Sequence, residues 1–89
     1  MLSSIELFCL AAELESFTGA AVQAGLTPAA VSRAVGRLEE RLAVRLFLRS
    51  TRRIRLTDAG RAYYGQCKPA LAQIAEAERE VTGQQAEAA

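Results

Sequence analysis

Histidine is absent from all 89 residues, and with it the commonest general base and metal ligand. The two cysteines, Cys9 and Cys67, stand far apart, and there is no CxxC pair, so neither a disulfide framework nor a zinc site is written into the chain. A glycine-rich phosphate loop is also missing. We therefore expect no enzyme, no cofactor and no metal. Long apolar runs are lacking too, and the first helix is expected to start almost at Met1 and to be amphipathic, which argues against a signal peptide or a membrane span and makes the cytoplasm the expected location. Basic residues are scarce at both ends. Residues 1–32 carry Glu6, Glu13 and Glu15 with no Lys or Arg; residues 33–61 carry nine Arg against Glu39, Glu40 and Asp58; residues 62–89 carry Lys68 and Arg79 against four Glu. The net charge of +1 thus hides one basic stretch between two acidic ones, as expected if a single face meets phosphate.

What is present is organised around residues 27–42. Val31, Val35, Leu38 and Leu42 recur at four, three and four, which draws one apolar stripe along a helix and leaves Ala29, Ser32, Arg33, Gly36 and Arg37 on the far side. Thr27 is the expected cap, and Pro28 suits the first helical position, where no N–H is needed. Just upstream, Ala21 is small enough for two helices to cross closely and Gly25 supplies a left-handed turn. This spacing predicts a helix-turn-helix whose second helix is free to enter a DNA major groove.

On either side the chain reads as scaffold. Ser3 is expected to cap a first helix reaching about Leu14, with Ile5, Phe8, Cys9 and Ala12 on one face; Cys9 reads as a small buried hydrophobe. Ser16 or Thr18 caps a second helix ending near Gly25. Arg33, Arg37, Arg41 and Arg45 step at intervals of four, but the stripe drifts around the helix, so Arg33 and Arg37 share a face while Arg41 and Arg45 read as solvated, with Glu39 and Glu40 as solubilising charges. Gly36 fits either close approach of a sugar-phosphate backbone or close helix packing. Residues 46–56 change to a two-residue period with Ile54 and Leu56 inward, predicting a short hairpin whose polar tip, residues 50–53, carries adjacent arginines suited to a minor groove.

Thr57 then caps the last helix, with Asp58 in its first turn. Tyr63, Cys67, Ala70, Ile74, Ala77 and Val81 follow at coiled-coil spacing, widened by Leu71, which predicts a homodimer seam. Pro69 within this helix, four residues after Gly65, predicts a bend. The expected boundaries are a winged helix-turn-helix over 1–57, a linker and dimerisation helix over 58–83, and the frayed start of a linker over 84–89. The fold expected is mainly α with a small β-hairpin.

Ser16-Phe17-Thr18, Ala20-Ala21, Ala30-Val31-Ser32-Arg33, Leu38-Glu39, Leu46-Phe47, Arg49 and Leu56-Thr57-Asp58-Ala59-Gly60 together resemble the N-terminal DNA-binding domain of LysR-type transcriptional regulators. The match is collinear from about Leu7 to Gly60. Three departures stand out: Pro28-Ala29 occupies a place where the family often has Gln-Pro, and Glu15 and Ala43 replace glycines that commonly follow the first and third helices. The resemblance implies a homodimer on promoter DNA, with a small-molecule effector sensed only by a C-terminal domain that these residues do not supply. It implies that Arg52 or Arg53 enters the minor groove and that the last helix pairs with its twin.

The function expected is sequence-specific binding of double-stranded DNA. Pro28, Ala29, Ser32 and Arg33 would face bases, Thr27, Arg37 and Arg49 would hold phosphates, and Arg52 and Arg53 would serve the minor groove. The alternative is a winged-helix protein-interaction module without specific DNA binding.

Overall fold

The computed structural model describes residues 3–50 and 53–88, with side chains as far as residue 83. Helix α1 (Ser4–Leu14) begins at a capping box in which the Glu6 N–H donates to Ser3 Oγ at 3.2 Å and the Ser3 N–H donates to Glu6 Oε1 at 3.1 Å. Two otherwise orphaned amides are satisfied at once. Its buried face is wider than the expected stripe, because α1 is covered by three other helices: Leu7 and Ala11 join Phe8 and Cys9 inside, while Ile5 and Ala12 are half-buried.

Helix α2 (Phe17–Ala24) starts at Ser16, whose Oγ accepts from the Gly19 N–H at 2.9 Å, which settles the choice between Ser16 and Thr18. Gly25 closes it at φ 69°, and the fully buried Ala20 and Ala21 let it cross its neighbours closely. Helix α3 (Pro28–Leu42) follows, with Thr27 Oγ1 accepting from the Ala30 N–H at 3.1 Å and Pro28 in the first turn. Val31, Ala34, Val35 and Leu38 are buried beneath it. Two helices end on non-glycine residues in the left-handed region, α1 at Glu15 (φ 50°) and α3 at Ala43 (φ 57°). The turn geometry that glycine would favour is therefore kept without glycine.

Strands β1 (Phe47–Arg49) and β2 (Ile54–Leu56) pair antiparallel, with Phe47 opposite Leu56 and Arg49 opposite Ile54. Ile54 is buried and Leu56 half-buried, while Arg53 and Arg55 face outward, as the period predicts. Phe47 plugs the hairpin into the core. Its ring lies 5.5 Å from those of Phe8 and Phe17, and Phe8 lies 5.5 Å from Tyr63, so one aromatic chain joins both early helices, the hairpin and the last helix. Burying a ring of this kind is worth about 1.5–3 kcal/mol.

Helix α4 (Asp58–Ala88) is tied to the loop ahead of the hairpin by Thr57, which donates from Oγ1 to the Arg45 carbonyl at 2.6 Å and accepts there from the Gly60 N–H at 2.9 Å. Gly60 lies so close to that loop that a Cβ would meet the Leu46 carbonyl oxygen at 2.0 Å. The helix runs uninterrupted through Pro69 and continues to Ala88, past the boundary expected at residue 83. Its 31 residues at about 1.5 Å each account for most of the molecule's 52 Å long axis. Together the elements form a winged helix-turn-helix followed by one long helix.

Candidate nucleic-acid interface

With Val31, Ala34, Val35 and Leu38 turned inward, α3 presents Thr27, Pro28, Ala29, Arg33 and Arg37 as exposed residues and Ser32 and Gly36 as half-buried ones. Residues four apart lie one above another, so Ala29, Arg33 and Arg37 form one outward row and Ser32 and Gly36 another. Among the described residues neither Arg33 nor Arg37 has an acidic partner. A Cβ on Gly36 would meet open space. Close helix packing within this chain therefore does not explain Gly36. In the first turn of α3 Pro28 has no N–H and the Ala30 and Val31 amides are taken by Thr27, so among the described residues the Ala29 N–H is the one left without a partner, at a helix end that carries a partial positive charge.

The wing stands beside this helix. Ser50 and Arg53 close its tip, the Ser50 N–H donating to the Arg53 carbonyl at 2.9 Å, and Arg53 and Arg55 are exposed. Arg52 lies outside the described residues.

Helix and wing are bolted together by a residue expected in solvent. The sequence reads Glu39 and Glu40 alike as solubilising charges; Glu40 is exposed, but Glu39 is only 5 % exposed. Its Oε2 accepts from the N–H groups of Leu46 and Phe47 at 2.8 and 3.2 Å, and its Oε1 accepts from Arg49 Nη2 at 3.1 Å. A buried carboxylate is costly unless its oxygens are satisfied, and here they are. The contact from Arg45, 3.7 Å away with a largely exposed side chain, adds little. One signal for this was available in the sequence: Glu39 lies four after Val35 and one after Leu38, on the buried stripe itself.

Arg49 faces several ways. Its guanidinium lies 5.1 Å above the Phe17 ring, donates to Glu39, and donates from Nη1 to Ser32 Oγ at 3.2 Å. Two of its five N–H groups are thus engaged within the chain, and three remain.

A second network braces α1 against α4. Glu13 Oε2 accepts from Tyr64 Oη at 2.8 Å and pairs with Lys68. Lys68 and then Tyr64 hold the Glu13 carboxyl below the usual carboxylate range, and Glu13 in turn raises both Lys68 and Tyr64. Burial pushes the Cys9 thiol up to about 11.

The seven expected seam residues divide between two roles. Cys67 is 8 % exposed and belongs to the core of its own domain, and Tyr63 is half-buried against Phe8. Cys67 has little surface left for another chain. Leu71 is half-buried at the border, Ala70 and Ala77 are exposed, and Ile74 and Val81 are 56 % and 59 % exposed, large apolar side chains with nothing covering them. Among the described residues no helix is long and apolar enough to cross a membrane.

The sequence profile of the bacterial regulatory helix-turn-helix proteins of the lysR family matches residues 2–61, which span α1 through the hairpin and into α4. The chain belongs to the LysR family. An uncharacterised HTH-type transcriptional regulator of Haemophilus influenzae is 42 % identical over 81 residues, 91 % of this chain and 28 % of that protein. The LysR-type fold is equally clear in three dimensions. A BenM_DBD/catB site 1 DNA complex superposes with a TM-score of 0.81 at 26 % identity, covering 97 % of this chain and 92 % of that one. Full-length CbnR in complex with its target DNA superposes at 0.81 and 26 % identity, covering 89 % of this chain and 27 % of CbnR. This chain thus spans about a quarter of the length of the full-length relatives it matches.

Proposed function

We propose that this chain reads double-stranded promoter DNA as the homodimeric DNA-binding part of a cytoplasmic transcriptional regulator. The observation that carries the proposal is the outward face of α3, where Arg33 and Arg37 stand without acidic partners among the described residues, on a helix whose opposite face is wholly committed to the core. Helix α3 enters the major groove. Pro28, Ala29, Ser32 and Arg33 face base edges, and Thr27, Arg37 and the remaining N–H groups of Arg49 hold phosphates. Gly36 lets the sugar-phosphate backbone approach. Arg52 and Arg53 at the wing tip serve the adjacent minor groove. That the similar BenM_DBD and CbnR structures are complexes with DNA supports double-stranded DNA as the partner.

The dimer forms through α4, chiefly Ala70, Leu71, Ile74, Ala77 and Val81, with Tyr63 and Cys67 shaping the root of that helix from within. Any effector acts through a C-terminal domain outside these residues. The test is affinity for a duplex measured by fluorescence anisotropy over a range of salt. Binding that weakens steeply with salt, with a slope that drops by about two in Arg37→Ala, one for each protomer of the dimer, supports the reading. Absence of binding at low salt refutes it and leaves a protein-interaction module.

A further inference from the structure

Ser32 differs from its neighbours on the outward face because the fold fixes which way its proton can go. Arg49 Nη1 donates to Ser32 Oγ at 3.2 Å. A guanidinium only donates, so the serine oxygen is the acceptor in that bond and its proton must leave in another direction. Helical hydroxyls often return the proton to a carbonyl one turn back, as Thr82 does to the Glu78 carbonyl at 2.9 Å. Among the described residues Ser32 makes no such bond; its one hydrogen bond is that from Arg49. Its proton is free for a group in front of the helix.

Arg49 is itself not free to turn. Glu39 holds its Nη2 at 3.1 Å, the Phe17 ring lies 5.1 Å beneath it, and Glu39 is anchored in turn by the Leu46 and Phe47 amides. The second lone pair of Ser32 Oγ therefore sits beside a fixed positive charge, which disfavours a further donor arriving there.

We propose that Glu39 and Arg49 are positioning residues that set Ser32 as a hydrogen-bond donor toward the major groove. Ser32 then selects a base edge offering an acceptor, N7 or O6 of guanine, N7 of adenine or O4 of thymine, and discriminates against cytosine, whose exposed N4 is a donor. This rests on the reading of α3 as the groove-facing helix.

The test is selection of bound duplexes from a random pool by the wild-type chain and by Ser32→Ala, Ser32→Thr and Arg49→Lys. At one position the wild type disfavours cytosine by about tenfold. Ser32→Ala loses that preference there alone, and Ser32→Thr, which keeps the hydroxyl, restores it. Arg49→Lys leaves a cation for Glu39 but cannot reach Ser32 at the same time; folded by circular dichroism, it tolerates cytosine at the same position. No enrichment by the wild type overturns the underlying reading. Enrichment with a uniform loss in Ser32→Ala makes Ser32 a phosphate contact and overturns this proposal alone. Retained discrimination in a folded Arg49→Lys overturns the positioning role. The serine variants decide the donor assignment even where Arg49→Lys lowers stability.

Discussion

Glu39 on α3 and Arg49 on β1 stand 3.1 Å apart, ten residues separated in sequence, and lock the angle between the third helix and the wing. The same carboxylate accepts from the backbone amides of Leu46, in the loop between them, and of Phe47, the first residue of β1, so one side chain ties helix, loop and wing together.

Glu39→Ala is expected to destabilise the chain by about 2–4 kcal/mol, since it orphans two amides and leaves Arg49 without its counter-charge. Urea unfolding measures it. A loss under about 0.5 kcal/mol would show the network to be incidental.

Much of this architecture is legible in the sequence, because it rests on local signals. Thr27 with Pro28 marks the start of α3, Ser3 and Thr57 mark two other helices, and the change of period after residue 53 marks the wing. What is not legible depends on contacts distant along the chain. Glu39 looks like a surface charge until the Leu46 and Phe47 amides are brought to it, and Cys67 looks like a seam residue until α1 folds across it. The length of α4 beyond residue 83 escapes a reading based on apolar periodicity, because a helix can continue on backbone propensity after the stripe has ended.

Ala43 and Glu15 hold left-handed conformations that cost a side-chain-bearing residue about 1–2 kcal/mol, part of which is offset by their smaller entropy loss on folding. Ala43→Gly and Glu15→Gly should each raise stability by about 0.5–1 kcal/mol, seen as a higher thermal midpoint. Unchanged or lower midpoints would contradict the strain.

Two glycines should respond in opposite ways to alanine. Gly60→Ala drives a methyl into the Leu46 carbonyl and should cost about 3 kcal/mol or more. Gly36→Ala meets open space and should stabilise the free protein by about 1 kcal/mol while weakening DNA binding. Circular dichroism and anisotropy on the same samples separate the two effects, and unimpaired DNA binding by Gly36→Ala would remove the close approach.

Cys9 carries a thiol raised by burial from 9.0 to about 11, so it is protonated through the neutral range. Its folded value lies above the unfolded one, so its contribution to stability is intact below about pH 9 and is lost as pH rises toward 11. Iodoacetamide should label it slowly in the native protein at pH 7.5 and quickly in urea. Equal rates would show that Cys9 is not protected.

Ile74→Glu should convert a dimer to a monomer without unfolding the domain, because Ile74 is already 56 % exposed in the single chain. Light scattering reads the mass. An unchanged dimer would take α4 out of the interface.

Selection of bound duplexes from a random-sequence pool at two salt concentrations asks whether α3 reads DNA sequence in a two-fold arrangement set by α4. Enrichment of a two-fold symmetric site that persists at the higher salt is the result predicted, with the half-site spacing giving the separation of the two α3 helices. Retention without enrichment, or no retention at all, would contradict it.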